Sequence, residues 1–552
     1  MLSKYILPKD FVDTIDESLW RHVLGEGVIK DVNNHADVKK EAFLYELARR
    51  INDGIYRPQA TKIIGFPKSK GVIRPVLHFG LEDVVVYYYC IKKLQDSLVA
   101  KINTTEYCFG GFRLTEKMTL HETSTENMIY DPEYESFVKY AFRKSWSDYQ
   151  NLAKQLSLGS FDYYMHLDIA HFYDAIPLGR LEHEVRNCVV DSKNIIDLLF
   201  YLLKNVKTQH NYSYTENIVG IPQEEVGEMS RLLANFYLSY FDSKIVEELK
   251  ILFGNSKGIE WQYTRYADDL WFAFKGEKSD ALRVTQIVSQ VLSDLSLHLN
   301  ESKTKIMTPL EHSTHWCFNY WDKITFAKFD IEKLIIILKE LYLEKDNDEE
   351  TRWFSAFNYA LKIVASSIST NRASILAESS FFIDIVLHNP QFVGRNNRSL
   401  AELVKEILRD SEPYRKVVLE YLSGPDAIYP LVSFVLWEVF LDLPYEEAIY
   451  QALSKRFYSE KWRDLWWYER CIFLNYYLVK KIYELDDMGL EKLLKHITSI
   501  ADTLSDYERR YVIRLLMRLP DLKGSELLNL KFSEFRDKRL IEYIKTSKVG
   551  GK

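Results

Sequence analysis

The chain divides into two parts by the spacing of its apolar residues. Up to about residue 322, short runs rich in β-branched and aromatic residues alternate with amphipathic stretches, which predicts a mixture of strands and helices. The clearest strand-like runs are TKIIGFP, YMHLDIAHFY and YTRYADDLWFAF. From about Phe326 onward the strand signals nearly vanish. We therefore expect an α+β first part and an all-α second part.

The second part is expected to be a succession of helices. Apolar residues recur there at three- and four-residue intervals, and the breaks carry Gly, Pro, Asn or Asp. Helices are predicted over residues 331–343, 353–367, 374–387, 400–408, 414–422, 431–441, 446–453, 469–485, 490–500 and 508–519. The acidic run 344–350 is expected to be a solvated turn. No exact repeat consensus is present, but helices with such short breaks suggest stacked pairs, as in α-solenoids of the HEAT-like kind.

Composition places the chain among ordered globular proteins. With 552 residues, 47% of them hydrophobic and 27% charged, it is long enough for several domains and too apolar to be disordered. The 37 Tyr, 30 Phe and 11 Trp are expected mainly in the core, with a few available to stack on bases. The net charge of -7 excludes a uniformly basic surface, although it leaves room for a local basic channel.

Cellular location is predicted from cysteine usage and from what the N-terminus lacks. The five Cys are scattered without a CxxC pair, which fits reduced thiols in a cytoplasm and offers neither a zinc site nor a disulfide framework. The N-terminus has no apolar segment of signal-peptide length, and no stretch approaches the ~18 apolar residues of a membrane span. We expect a cytoplasmic protein with no membrane partner.

Three carboxylates form the main candidate site. Asp268 and Asp269 lie at the tight connection of a predicted hairpin, where an isolated acid pair is more often a solvated turn. Asp168 interrupts an apolar strand pattern, where an acid costs several kcal/mol unless it is paired or bound to metal. If the strand of Asp168 lies beside the hairpin, the three acids converge. Such a cluster suits two Mg²⁺ (or Mn²⁺) ions, because hard cations prefer oxygen ligands.

These motifs resemble those of reverse transcriptases. The sequence YADD, residues 266–269, looks like the YxDD box, and DIAHFY resembles the preceding motif that carries the first Asp. The resemblance implies catalysis by Asp168, Asp268 and Asp269, and it adds Ile169 to the metal-binding set. It also implies that Tyr173, five residues after Asp168, is the steric gate against a ribose 2′-hydroxyl, so that dNTPs are the substrates.

A basic segment before the palm fits the same family. FPKSKGVIRP, residues 66–75, resembles the fingers segment whose cations grip the incoming triphosphate. Lys68, Lys70 and Arg74 are the matching cations, and residues 49–74 hold seven Lys or Arg against one acid. Taken alone, such a segment is more often a solvated basic loop. Next to the carboxylate motifs, nucleotide binding is the better interpretation.

Three later segments follow in the family's order, with one departure. FGGFR, from residue 109, resembles the next fingers motif, and LHLNESKTK, from residue 297, resembles the Lys-Thr motif that would make Lys303 a proton donor to pyrophosphate. The segment from residue 220 resembles the motif under the template and nucleotide, which implies nucleotide binding by Gln223. Glu224 replaces the usual Gly there, and HWCFNYW lies where a primer grip belongs without its usual Leu-Gly.

A palm that leads into helical repeats, with no recognisable thumb or maturase domain, resembles the abortive-infection (AbiK-like) and related phage-defence reverse transcriptases of bacteria. This resemblance implies fingers in residues 1–115, a palm in 116–322 and an all-α helical-repeat domain in 323–552. It also implies homo-oligomers and untemplated DNA synthesis primed by a Tyr hydroxyl, with single-stranded DNA attached to the protein. The particular Tyr cannot be assigned. Two alternatives stay open: a template-copying enzyme of retron or intron type with a partner RNA, and a helical-repeat interaction protein with a decayed polymerase domain.

Overall fold

The structure is a computed structural model. Its chain divides into two compact units. It describes residues 6–17, 19–20, 39–68, 71–102, 108–109, 120–122, 128–130, 149–209, 215–223, 228–347, 351–394, 398–444, 446–459, 462, 464–476, 485–500, 504, 508–509 and 511–512. The first unit comprises residues 1–28, 36–64 and 76–375. The second comprises residues 29–35, 65–75 and 376–552.

Strands in the described residues belong to three sheets. Their bounds are β1 Ala60–Pro67, β2 Ile73–His78, β3 Cys108–Phe109, β4 Leu120–Glu122, β5 Met128–Tyr130, β6 Tyr163–Asp168, β7 Lys207–Gln209, β8 Thr215–Asn217, β9 Trp261–Tyr266, β10 Asp269–Phe274 and β11 Lys305–Met307. One sheet has the order β2-β1-β7-β8, and a larger one has the order β11-β6-β10-β9-β3. The pair β4-β5 forms the third.

Helices surround the five-stranded sheet of the first unit. They are α1 Pro8–Thr14, α2 Lys40–Asn52, α3 Leu81–Val99, α4 Phe172–Ala175, α5 Leu178–Cys188, α6 Lys193–Asn205, α7 Glu228–Tyr237, α8 Ser239–Phe253, α9 Lys278–Asp294, α10 Pro309–His315, α11 Phe318–Ala327, α12 Ile331–Leu343, α13 Trp353–Ser366 and α14 Arg372–Ala377. Strand and helix therefore alternate through this unit, as the mixed sequence pattern predicts.

The five-stranded sheet separates two apolar cores because its side chains alternate between faces. Leu270 and Phe272 of β10 lie in the larger core, which the helices α1 to α9 help to build. Trp271 and Ala273 lie in a smaller, aromatic core with Tyr149. Antiparallel pairing of β10 with β6 places Asp269 opposite Asp168 and Trp271 opposite His166. Asp168 and Asp269 consequently project from the face that carries the aromatic core.

The second unit is helical in its described residues, apart from the tip of the β1–β2 hairpin. Its helices are α15 Ser379–His388, α16 Gln391–Gly394, α17 Arg398–Asp410, α18 Glu412–Ser423, α19 Pro430–Leu441, α20 Glu447–Phe457, α21 Trp467–Tyr476 and α22 Asp487–Ile500. The hairpin tip is fixed by Tyr429, whose hydroxyl donates to the Lys68 carbonyl at 2.8 Å and accepts from the Gly71 amide at 2.8 Å.

The α+β class and most predicted helices are confirmed. The helix predicted over 331–343 has those bounds, whereas the one predicted over 374–387 is two helices, α14 and α15. The acidic run begins with a 3-10 turn at Glu344–Asn347, and the helix predicted over 508–519 lies mostly outside the described residues. The helical repeat and the domain limits 1–115, 116–322 and 323–552 stay predictions. No helix in the described residues is both long and apolar enough to cross a membrane.

Candidate active site

The hairpin of β9 and β10 carries two of the three predicted carboxylates. Tyr266 pairs with Asp269, so that Ala267 and Asp268 alone form the turn. Ala267 has a φ of 52°, in the left-handed region that residues with a side chain adopt at a cost. Its carbonyl accepts a hydrogen bond from Arg265 at 3.2 Å, which ties the turn to the strand that precedes it. Asp268 is thereby held at the tip of a short, constrained turn.

Asp168 and Asp269 form a cross-strand pair of like charges. They lie directly opposite each other at the ends of β6 and β10. Carboxylates in this relation repel, which destabilises a sheet unless cations lie close by. The structure supplies such cations from two different parts of the chain, and each carboxylate has its own.

Asp269 is held by an arginine and a histidine. Arg352 Nη2 donates to its Oδ2 at 2.9 Å, and His166 Nε2 lies 2.9 Å from its Oδ1. Burial would raise the pKa of Asp269, but the charge of Arg352 and the hydrogen bond from His166 hold it well below its ordinary value. Burial lowers the pKa of His166, so that the neutral imidazole is the donor. Asp269 is therefore a carboxylate at any physiological pH.

Asp168 is held by a lysine and an asparagine. Lys303 Nζ lies 3.0 Å from each carboxylate oxygen, and Asn300 Nδ2 donates to Oδ2 at 3.1 Å. The Asp168 carbonyl also accepts from the Asn300 amide at 2.8 Å. Next to it, Ile169 is buried and forms an isolated antiparallel bridge with Leu299. The segment from His298 to Lys303 therefore fixes Asp168 and places the predicted proton donor beside it.

Asp268 differs from its two neighbours. Among the described residues, no side chain donates a hydrogen bond to its carboxylate. Burial, together with the negative charges of Asp269 and Asp168, raises its pKa to about 7. The third carboxylate is thus the one whose charge the protein leaves least compensated.

The donor set fits a hard divalent cation. In the described part of the chain, no group of three or more His, Cys, Asp or Glu is arranged to hold a metal ion. Asp168 and Asp269 form ion pairs with Lys303 and Arg352. The raised pKa of Asp268 marks concentrated negative charge that a cation would relieve. Asp168 and Asp268 would hold it, and a bound divalent ion would activate a hydroxyl and neutralise phosphate charge.

A family comparison agrees with this geometry. Residues 92–352 match the family described as reverse transcriptase (RNA-dependent DNA polymerase), a stretch that contains the three carboxylates and Arg352. Residues 92–352 are a reverse transcriptase domain. The prediction of a reverse-transcriptase nucleotidyltransferase is therefore confirmed, while the roles of the individual site residues stay predictions.

Two distant relatives match about half of the chain. The chain is 19% identical over 312 residues to the putative COX1/OXI3 intron 1 protein of Saccharomyces cerevisiae, with 49% of this chain and 33% of the yeast protein covered. It is 25% identical over 278 residues to protein YkfC of Escherichia coli, with 46% and 64% covered. The chain thus spans a third of the first relative and less than two thirds of the second.

Among solved structures, telomerase from Candida albicans in complex with a telomeric RNA fragment is similar. The sequence identity is 12%, the TM-score is 0.32, and the match covers 74% of this chain and 69% of the telomerase chain. A TM-score this low carries no argument about function.

In the reverse transcriptase domain, the predicted gate residue is fixed by a neighbouring glycine. The Tyr173 carbonyl accepts a hydrogen bond from the Ile221 amide at 2.9 Å. Gly220 has a φ of 69°, and a Cβ on it would lie 2.3 Å from the Tyr173 carbonyl oxygen. Only glycine fits this close approach. Gln223 extends the contact, because its carbonyl accepts from the Leu77 amide at 2.8 Å.

The predicted triphosphate-binding cations lie on the β1–β2 hairpin. Lys68 is half-buried, and its amide donates to the Val72 carbonyl at 2.7 Å. Arg74 is exposed on β2. Lys70 lies outside the described residues. Both described cations belong to residues 65–75, which cluster with the second unit rather than with the carboxylates.

The first four residues of the segment at the position of a primer grip are buried, whereas Asn319 is exposed. His315, Trp316, Cys317 and Phe318 are each at most 6% exposed, and Trp316 stacks on Phe318 with ring centroids 5.9 Å apart. These side chains fill the aromatic core behind the YADD hairpin. They are consequently unavailable as a side-chain surface for a primer strand.

Three residues important to the site were not anticipated from the sequence. Arg352 follows an acidic run and shows no periodic signal. His166 could have been found, because a residue two positions before Asp168 on a strand shares its face. Arg265 could also have been found, because a charged residue within a predicted strand needs a partner if it is buried, as was argued for Asp168. It is fully buried and pairs with Asp242 at 2.7 Å.

Proposed function

We propose that this chain is a metal-dependent DNA polymerase that extends a tyrosine hydroxyl of the protein itself, without a template, in abortive-infection defence against phage. The observation that carries the polymerase activity is the convergence of Asp168, Asp268 and Asp269 at adjacent strand ends. The proposal adds untemplated synthesis, protein priming and a role in defence to that activity.

The reaction is the attack of a hydroxyl oxygen on the α-phosphorus of a dNTP. A new P–O bond forms, the bond to pyrophosphate breaks, and the hydroxyl proton leaves. Asp168 and Asp268 would hold the divalent ions that make this possible. Lys303, whose Nζ lies 3.0 Å from Asp168, would give a proton to the departing pyrophosphate. Tyr173 would exclude ribonucleotides by contact with a 2′-hydroxyl.

Two features favour synthesis without a bound primer–template duplex. Four of the seven side chains at the position of the primer grip, those of residues 315–318, are buried. The net charge of -7 is also unusual for a protein that must neutralise the phosphates of a long duplex. A tyrosine of the chain that serves as the primer needs neither an exposed primer grip nor a basic surface for a duplex. A phenol near a metal is an adequate nucleophile.

A template-copying enzyme that uses a partner RNA is the second candidate. The matched family is described as RNA-dependent, and one relative is named as an intron protein. This candidate needs a surface for a template strand, which would include Gln223 and its neighbours.

The helical residues 323–552 are proposed to form a HEAT-like stack through which copies of the chain associate. A helical stack contains inner helices that are mostly buried and outer helices that are buried on one side, and α19 and α20 are one of each. In α19, eight of twelve residues are buried, as in an inner helix, whereas α20 buries four of eleven. Light scattering of the purified protein tests the association, and a monomer at all concentrations would contradict it.

A priming assay separates the two candidates. Purified protein is incubated with Mg²⁺ and labelled dNTPs, with and without an added primer–template, and then denatured. Label that stays on the polypeptide in the absence of nucleic acid supports protein priming. Label found only on the added primer supports template copying. The Asp268→Ala protein is the control, and incorporation by it would refute the polymerase site itself.

A further inference from the structure

The position of Arg352 beside the carboxylates is not accounted for by the reverse transcriptase motifs. It lies outside every segment that identifies the carboxylates, yet its guanidinium donates to Asp269 Oδ2 at 2.9 Å. His166 occupies the other oxygen at 2.9 Å. Both oxygens of Asp269 are therefore engaged by donors of the protein. Those of Asp168 are engaged as well, by Lys303 and Asn300, so the two carboxylates differ in how firmly the charged donor is held.

The arginine itself is confined. Its Cζ lies 4.6 Å from the ring centroid of Trp316 and 5.3 Å from that of Trp271, within the range of cation–π attraction. Its amide donates to the His315 carbonyl at 2.6 Å, which fixes the backbone. The side chain is only 15% exposed. A guanidinium held by two indoles and by its own backbone cannot swing aside when a cation approaches.

Lys303 makes the opposite arrangement at Asp168. Its side chain is 55% exposed, and a lysine is a single charge on a flexible stem. It can leave Asp168 for solvent or for a phosphate at little cost. Lys303 can therefore be displaced from its carboxylate, whereas Arg352 stays beside Asp269.

We propose that Arg352 is a positioning residue that keeps Asp269 bound to the protein and so reserves cation binding for Asp168 and Asp268. This proposal rests on the proposed function, because it concerns the same catalytic site. Asp269 then acts as a fixed anion that holds the end of β10 and orients the adjacent Asp268. Without Arg352, Asp269 would compete for the cation and draw it away from its productive place.

The test measures cation affinity separately from catalysis. Tb³⁺ is a hard cation that binds oxygen ligands, and nearby indoles such as Trp271 sensitise its luminescence. The unliganded full-length protein is titrated with Tb³⁺, and the Asp168→Asn/Asp268→Asn protein supplies the background from other acidic residues. We expect Asp269→Asn, which removes only a nearby charge, to weaken binding about tenfold, and Asp268→Asn, which removes both a charge and a ligand, to weaken it at least about a hundredfold.

The decisive variant is Arg352→Met, which keeps the length of the side chain and removes its charge. It should bind Tb³⁺ about tenfold more tightly, the effect of removing one charge a few ångströms away in a medium between water and protein. Its kcat should nevertheless fall about ten- to a hundredfold with little change in KM for dNTP. A merely structural residue would not raise cation affinity while lowering kcat. Arg352→Lys, which keeps the charge, should stay within about threefold of the wild-type affinity.

Three results would overturn the proposal: a folded Arg352→Met protein with unchanged or weaker Tb³⁺ binding, an Asp269→Asn protein impaired as much as Asp268→Asn, or an Arg352→Lys protein with the affinity of Arg352→Met. If Arg352→Met does not fold, the comparison of Asp269→Asn with Asp268→Asn and the Arg352→Lys titration still decide it. Because Tb³⁺ binding needs no nucleotide, a wild-type protein that incorporates no dNTP would refute the proposed function separately.

Discussion

Replacing Arg265 with methionine is expected to destabilise the reverse transcriptase domain and to loosen the YADD turn. Arg265 is fully buried and donates to both carboxylate oxygens of Asp242, at 2.7 and 2.8 Å. It also donates to Asn235 Oδ1 at 2.6 Å and to the Ala267 carbonyl at 3.2 Å. One side chain thus joins the helices α7 and α8 to the turn that carries Asp268.

The magnitude follows from the burial of both charges. Asp242 is 2% exposed, and in the Arg265→Met protein its remaining described donor is the Tyr263 hydroxyl at 2.7 Å. Removing one partner of a buried ion pair leaves an uncompensated charge and costs about 3–5 kcal/mol. Adding Asp242→Asn removes that charge and should recover about 1–3 kcal/mol. Both the single and the double variant should be less active than the wild type, because in each the Ala267 carbonyl has lost its donor.

The free energy of unfolding is measured by urea denaturation followed by near-ultraviolet circular dichroism, and activity by dNTP incorporation. Arg283→Met is the matched control, since that arginine is 65% exposed and its ion pair with Asp280 contributes at most about 1 kcal/mol. A loss below about 1 kcal/mol in Arg265→Met would refute the reasoning. So would full activity in the double variant.

Three further predictions concern the catalytic face. Asp268→Ala should abolish nucleotide incorporation. It should leave the thermal unfolding temperature unchanged or higher, because it removes the carboxylate whose charge is least compensated. A large drop in that temperature would contradict the electrostatic argument. Tyr173→Ala should admit ribonucleotides, measured as the ratio of kcat/KM for dNTP and rNTP, and an unchanged ratio would remove Tyr173 from the gate role. Gly220→Ala should lower the free energy of unfolding by more than about 1 kcal/mol, because the φ of Gly220 is 69° and the new Cβ would lie 2.3 Å from the Tyr173 carbonyl oxygen. An unchanged free energy in urea denaturation would contradict that contact.

The carboxylate face could be predicted because it depends on local rules. Side chains alternate along a strand, so Asp168 interrupting an apolar run had to point to one face, and a two-residue turn fixes the register of the next strand. The pairing of Asp269 with Asp168 follows from those two facts. Helix α12 was equally predictable from its apolar spacing.

The cations that balance this face could not be predicted in the same way. Arg352 reaches Asp269 across 83 residues, and its neighbours form an acidic run that indicates a solvated turn. Its contact depends on tertiary packing against Trp271 and Trp316, which no local pattern encodes. The burial of Trp316 was unpredictable for the same reason, because its segment matches the position of a primer grip.

The distance along the chain between Asp269 and Arg352 has a consequence for biosynthesis. At about 5–20 residues per second, a ribosome needs roughly 4–17 s to translate the 83 positions that separate them. Both strands of the carboxylate pair and Lys303 are synthesised by the end of that interval, before the arginine is added. The active site is therefore completed late in synthesis, and a product that terminates before residue 352 would carry every acidic residue of the site without its fixed counter-charge.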